Sequence, residues 1–207
     1  MFTISPASPS DVSVVSRMLA ATFSDETVMS TLIHGSHRQE RFTELFAAIL
    51  RSSALRTGRV DLARRQSDGM VLGAAIWEHP SQRASILAHL RELPTFVGAL
   101  GWRGLRGAIQ LKTTLARHRP AEPHWYLSQI GVSVEARGAG VGAALLESRL
   151  KSIDADAAPA YLESSNERNR SLYRRHGFEA VSLISGIKNA HPMAMWRPSH
   201  RKEKTEL

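Results

Sequence analysis

Apolar residues recur at helical spacing in two places near the start of the chain. Val12, Val15, Leu19 and Phe23 form one set, and Phe42, Leu45, Phe46, Ile49 and Leu50 form the other. Three- and four-residue spacing puts each set on one helix face. Ser8-Pro9-Ser10-Asp11 caps the first helix and separates it from a short strand at Phe2-Thr-Ile. The second helical stretch runs from about Arg38 to Leu55 and stops before Gly58. Val60–Arg65 and Met70–Glu78 read as two strands around the hairpin signal Ser67-Asp68-Gly69.

Residues 81–119 read as helical but broken by Pro94 and several glycines. Ile86, Leu87, Leu90, Leu93, Phe96, Val97, Leu100, Leu105, Ile109, Leu111 and Leu115 are too many apolar side chains to face solvent. They are expected to pack on a sheet edge, wall a pocket or form a dimer seam. His124–Val134 is the next strand, followed by a glycine cluster and a helix at Ala143–Ile153. Tyr161-Leu162 is a short strand, and Glu167–His176 a short helix stopped by Gly177. Phe178–Ile187 and Met193–Trp196 close the pattern, and Arg197–Leu207 is a polar tail. Hairpins and crossovers in one chain of 207 residues predict a single α/β (α+β) domain over residues 1–196, built on one twisted mixed sheet.

Composition narrows the chemistry. There is no Cys, which removes disulfides, thiolate nucleophiles and thiolate metal sites. No His pair has metal spacing with carboxylate support, so no metal is expected. No apolar run approaches the roughly 20 residues of a membrane span. No basic-then-apolar leader opens the chain, so a cytoplasmic protein without a membrane partner is expected. The net charge is +8. From Arg83 to Arg119 there are seven basic residues against one acid, Glu92. Such a stretch suits an anionic partner. It lacks the interleaved aromatics that stack bases, so nucleic acid is the weaker reading.

Arg137-Gly138-Ala139-Gly140-Val141-Gly142 lies between a strand and a helix. Glycines let backbone N–H groups converge on a ligand, and the helix points its positive end at the same place. That combination suits a pyrophosphate, with Arg137 as a nearby cation. A phosphate loop with Lys-Ser or Lys-Thr is absent. Gly138-x-Gly140-x-x-Ala143, with Glu163 twenty residues on, does fit a dinucleotide pattern. Against a dinucleotide, Ser133–Arg137 separates strand from glycine, and no run of repeated βαβ units surrounds it.

Arg137-x-x-Gly140-x-Gly142, led in by Ile130-Gly131-Val132-Ser133, resembles the signature of the GCN5-related N-acetyltransferase (GNAT) superfamily. Leu162-Glu163 and Asn169-Arg170-Ser171-Leu172-Tyr173, running on to Gly177-Phe178, resemble that family's later motifs. The stretch His118–Leu127 is similar to the puromycin N-acetyltransferase group within it. The resemblance covers about residues 124–180 and implies a sheet whose two central parallel strands splay around acetyl-CoA. It implies helices on both faces and a helical insert at 81–119. On that basis residues 138–143 (Gly138, Ala139, Gly140, Val141, Gly142, Ala143) and Arg137 hold the pyrophosphate, and main-chain groups of Ile130, Gly131 and Val132 meet the pantetheine arm. Asn166 or Asn169 contacts the same arm. The family's usual spacing favours Asn166, seven residues before the Tyr, and the puromycin-type spacing favours Asn169.

Acetyl transfer to an amine needs a base for the amine and an acid for the departing thiolate. Tyr173 fits the acid, because a phenol of pKa about 10 protonates a thiolate. Glu163 is the first candidate for the base, with Glu78, His79 and His124 behind it. The absence of Cys points to direct transfer in a ternary complex. The acceptor expected is the primary amine of a small antibiotic-like or metabolite molecule, on a monomer or homodimer. The alternatives are a basic nucleic-acid-binding protein, a non-catalytic CoA sensor and a dinucleotide-binding oxidoreductase.

Overall fold

The computed structural model describes residues 1–81, 86–187 and 190–199. Its strands are β1 (Phe2–Pro6), β2 (Gly58–Arg65), β3 (Val71–Glu78), β4 (Trp125–Val132), β5 (Ala160–Ser164), β6 (Glu179–Leu183) and β7 (Met193–Arg197). They form one sheet in the order β1-β2-β3-β4-β5-β7-β6. Every neighbouring pair is antiparallel except β4 and β5. The helices are α1 (Val12–Phe23), α2 (Arg38–Ile49), α3 (Leu55–Thr57), α4 (Ile86–Ala116), α5 (Val141–Ala155) and α6 (Glu167–Arg175).

Alternation along the strands divides the core in two. Val60, Leu62, Ala74 and Ile76 pack with α1, α2 and the middle of α4. Ala63, Ala75, Trp77, Trp125 and Leu162 pack with α5 and with Tyr173 of α6. Helices therefore cover both faces of a sheet with period-2 burial. Gly131 sits where α1 crosses β4. A Cβ there would meet Leu19, Phe23 and Thr22 at 3.1–3.3 Å, so the absent side chain sets how closely α1 lies on the strand.

The fold departs from the sequence reading in four places. Pro94 does not interrupt α4; the one break in its dihedrals is Gly101, at φ 64° and ψ 170°. A Pro removes one backbone donor, and the other turns of the helix continue around it. The insert's apolar residues are only partly packed, five of the eleven being exposed. Ile86, Leu87, Leu90, Leu93 and Ile109 are exposed, while Leu100 is buried and Phe96, Leu105 and Leu111 lean on the first core. β6 ends at Leu183 rather than Ile187. Arg197 belongs to the fold and not to a tail: it is 6% exposed, and its Nη2 donates to Asp154 Oδ2 at 2.9 Å. Residues 200–207 of the expected tail, and Arg83 of the basic stretch, lie outside the described residues.

A second buried ion pair ties α5 to the sheet. Arg149 Nε donates to Asp61 Oδ2 at 2.9 Å, and a second guanidinium nitrogen reaches Oδ1. The two side chains are 13% and 7% exposed. Removing one partner strands the other charge in the core. Asp61→Ala is therefore expected to cost about 3–5 kcal/mol in urea unfolding. A loss under about 1 kcal/mol would place the pair with ordinary surface ion pairs instead.

Candidate active site

The parallel pairing of β4 with β5 lasts three residues: Trp125 opposite Ala160, Tyr126 opposite Tyr161, Leu127 opposite Leu162. Beyond Leu127 the two strands part. A bulge marks the place, because Ile76 faces Gln129 while Trp77 faces Leu127, leaving Ser128 as the extra residue. The bulge also reverses the alternation. Leu127 and Ile130, three apart, both lie on the α5 face.

Past the bulge β4 is bonded on its β3 side only. Ser133 N–H donates to Leu72 C=O at 2.8 Å. In an antiparallel pair the residues that bond the neighbour alternate. Ser133, Gly131 and Gln129 thus direct their peptide groups to β3, and Val132 and Ile130 direct theirs into the gap. Thr22 Oγ1 lies 3.5 Å from Val132 C=O, at the limit of a hydrogen bond.

The glycine turn closes the far end of the gap. Gly138 and Gly140 have φ of 83° and 79°, in the left-handed region that side chains disfavour. Gly140 caps α5 directly, and Ala144 N–H returns to its carbonyl at 3.0 Å. The N–H groups of Val141, Gly142 and Ala143 have no partner within the helix. Ala139 and Arg137 are exposed beside them. A Cβ at Gly142 would be in ordinary contact with Val132 and Leu172, so α6 lies against the same corner.

Asn166 and Asn169 are used differently. Asn166 is the N-cap of α6, its Oδ1 accepting from Asn169 N–H at 2.9 Å. The Asn169 side chain has no hydrogen-bond partner among the described residues and is half-buried. Tyr173 is 5% exposed and packs edge-on against Phe178, with Ile130, Val132 and Leu172 in the same cluster. Burial raises its pKa, so the phenol stays protonated through the neutral range.

Glu163 is the first β5 residue past the paired segment, and it lies on the other face from Tyr173. Its side chain is 6% exposed. Tyr126 OH donates to its Oε2 at 2.6 Å. Arg119 Nε lies 3.7 Å from its Oε1. Burial raises the Glu163 pKa, and the Tyr126 hydrogen bond, the Arg119 charge and Tyr161 oppose that without cancelling it. Glu78, at the end of β3, faces the same cluster through Arg119 Nη1 at 3.6 Å. His124 packs edge-on against Tyr161 and Trp196. Burial lowers its pKa, and the Arg119 charge adds to that. His79 is turned away: its ring packs on Trp125 and its Nδ1 accepts from Ser81 N–H.

Three members of this cluster were not anticipated as site residues: Tyr126, Tyr161 and Arg119. The signal for two of them is in the sequence. Tyr161 and Glu163 are two apart on one strand and so share a face, and Tyr126 stands on the parallel neighbour. Arg119 carries no such signal, because a loop residue's direction is not periodic. Among the described residues no group of His, Asp and Glu is placed to hold a metal ion.

The comparisons agree with this geometry. Residues 96–180 match the family model described as an acetyltransferase (GNAT) domain. That segment is similar to a GNAT acetyltransferase domain. A crystal structure described as histone acetyltransferase HPA2 and related acetyltransferase, from Corynebacterium glutamicum, superposes with a TM-score of 0.78 at 27% identity, covering 98% of each chain. An arylalkylamine N-acetyltransferase 2 from Aedes aegypti shares the fold at TM-score 0.61 and 12% identity, over 95% of this chain and 98% of that one. PaiA N-acetyltransferase from Thermoplasma acidophilum, solved with coenzyme A, does so at 0.58 and 12%, over 96% and 99%. An uncharacterized N-acetyltransferase of Schizosaccharomyces pombe is 41% identical over 54 residues, which are 26% of this chain and 22% of that protein. The chain thus aligns with about a fifth of the length of that curated relative. No helix among the described residues is long and apolar enough to cross a membrane.

The raised Glu163 pKa carries a consequence for the stability of the fold. A carboxyl whose folded pKa lies above its unfolded value stabilises the fold while protonated, and that contribution is lost as pH rises through the folded value. Glu163→Gln mimics the protonated state at every pH. The variant is expected to melt above the native protein at pH 7–8, with the difference shrinking towards zero as pH falls below the ordinary carboxylate range. Calorimetric scans from pH 4 to 8 check this, and a difference that grows on acidification contradicts it.

Proposed function

We propose that the protein transfers an acetyl group from acetyl-CoA to the primary amine of a small molecule, directly within a ternary complex. The observation that carries this is the parting of β4 and β5 after Leu127 and Leu162, with a phenol on one face of the gap and a buried carboxyl on the other. Main-chain groups of Ile130 and Val132 take the pantetheine arm as a further strand would. The glycine turn, Arg137 and the first turn of α5 take the pyrophosphate. Asn169, with its amide unpaired, is the better placed of the two asparagines for the arm; Asn166 keeps its Nδ2 for the same use.

The reaction assigns one job to each face. The acceptor nitrogen loses its proton to the Glu163 carboxylate and attacks the thioester carbon. The carbonyl oxygen gains charge, which a β4 backbone N–H facing the gap stabilises. The C–S bond then breaks, and Tyr173 protonates the leaving thiolate. A positioned acid of this kind contributes typically about 10²–10⁴-fold. Because thiolate and amine lie on opposite sides of the transferred group, an acid and a base on opposite faces suit the step.

A small acceptor fits better than a Lys-rich peptide. Glu163 is nearly enclosed, and Arg91, Arg103, Arg106, Lys112 and Arg117 of the insert are all exposed, so a cationic peptide would meet repulsion on approach. The similarity of His118–Leu127 to the puromycin N-acetyltransferase group points the same way. The dinucleotide alternative finds little support, since a nucleotide-binding sheet of that kind is mostly parallel and here one pair is.

Two measurements test the reading. Gly140→Trp, which fills the pyrophosphate cradle, should abolish saturable binding of acetyl-CoA by calorimetry. Tyr173→Phe should lower kcat by about 10²-fold or more with little change in the KM for acetyl-CoA. An unchanged kcat removes Tyr173 from the mechanism. A thiol-release screen over aminonucleosides, aminoglycosides, polyamines, amino acids and short peptides decides the acceptor. A peptide consumed far faster than every small amine would overturn the small-molecule half of the proposal.

A further inference from the structure

Arg119 does not behave like the rest of the basic stretch. The other described basic residues of that segment are exposed, and its own side chain is 25% exposed. It follows α4 by three residues, and its N–H closes a final turn onto Ala116 C=O at 3.3 Å. His118 steadies that turn, its Nδ1 lying 3.0 Å from Thr114 C=O. From there the guanidinium carbon lies over the Tyr126 ring, 3.4 Å from its centroid. The same Tyr126 holds Glu163 through its hydroxyl.

The guanidinium is thus stacked on one support of Glu163 and beside its other oxygen. Arg119 Nε and Glu163 Oε1 are both buried, and neither has a hydrogen-bond partner. At 3.7 Å they attract as charges without forming a hydrogen bond. Nothing else among the described residues places a Lys or Arg nitrogen within 4 Å of Glu163. The titratable groups that act on this carboxyl are few besides Arg119: Tyr126 from β4, Tyr161 from β5 and Glu78 from β3, with His124 packed behind Tyr161. β7 contributes Ala194 and Trp196, neither of them titratable. Two acids and one guanidinium leave the cluster with one negative charge in excess when both acids are ionised.

We propose that Arg119 is a positioning residue for Glu163: the end of the α4 insert delivers a fixed cation that clamps the Tyr126 ring and keeps the Glu163 carboxylate ionised with Oε1 turned to the acceptor side. The inference rests on Glu163 acting as the base, and it gives the insert a part in catalysis besides walling the acceptor. The physical requirement is plain. A nearly enclosed carboxylate with one hydrogen bond is poorly stabilised, and a charge within about 4 Å offsets much of the lost hydration. Stacking on an aromatic face fixes a planar guanidinium in a way that an ammonium is not fixed.

Carbon-13 NMR of the labelled Glu carboxyls, with the Glu163 signal assigned by its loss in Glu163→Gln, follows the carboxyl without any turnover. Arg119→Met and Arg119→Gln should move its titration midpoint upward, and Arg119→Lys should give a midpoint between those and the native one. The acidic limb of kcat/KM should move with it, so that the neutral variants lose about tenfold more at pH 6 than at pH 9. A carboxyl midpoint that stays put in folded neutral variants overturns the proposal. If neither neutral variant folds, Arg119→Lys decides, and a native midpoint there overturns it equally. A midpoint that moves while the kinetic limb does not leaves the hold of Arg119 on Glu163 intact and instead overturns Glu163 as the base.

Discussion

Backbone donors and acceptors that lose a strand partner must find another. In this chain the loss is built in at Leu127 and Leu162, where the one parallel pair of the sheet stops after three residues. The Ser128 bulge turns β4 away, and the outer hairpin of β6 and β7 carries β5 in the other direction. The gap is therefore an unfinished sheet, with Ile130 and Val132 offering the edge that a strand would fill. The pantetheine arm, an extended chain with amide groups, has the chemistry to fill it. Other features follow from that one interruption. Gly131 lets α1 close over one face, the glycine turn brings the start of α5 to the end of the gap, and α6 sets Tyr173 beside it.

The two faces of the interrupted sheet are chemically unlike. On the α5 side the lining is apolar around one phenol, which stays protonated because burial disfavours its anion. On the other side a carboxyl, two phenols, a guanidinium and an imidazole crowd together behind α4 and the last hairpin. Burial works on both, and with opposite uses. It keeps a phenol protonated on one face, and on the other it raises a carboxyl above its ordinary range. The partition depends on the bulge, since without Ser128 the side chains beyond it would exchange faces.

Much of this was legible from residue order. The strand and helix pattern followed period 2 and period 3.6, the glycine turn stood out by type and spacing, and Tyr173 was singled out by the resemblance of the motif around it. Glu163 was recognisable as the acid closing a short strand. What the sequence did not reveal is what periodicity does not encode. A bulge is one extra residue in a run of apolar positions, and Ser128 looks like any polar residue within a strand. Arg119 sits in a loop among other basic residues, so nothing in its neighbours separates a buried guanidinium from a solvated one. The exposed stripe of Ile86, Leu87, Leu90 and Leu93 failed differently: helical spacing identifies a face without saying that the face is covered. Arg197 was assigned to the tail because charge near a terminus is usually solvated, and its partner Asp154 lies 43 residues away.

The ion pairs of the interior separate structure from chemistry. Arg149 with Asp61, and Arg197 with Asp154, are each joined by two charge-assisted hydrogen bonds. Such pairs are held by geometry, and every nitrogen used to brace the fold is committed. Arg119 and Glu163 are buried to a comparable degree but stop short of a hydrogen bond, with a donor and an acceptor left open. An unmet polar pair costs stability, and the buried Tyr161 hydroxyl of the same cluster is also without a partner. The incomplete pair is thus the counterpart, among side chains, of the incomplete sheet beside it: each leaves a hydrogen-bonding position open.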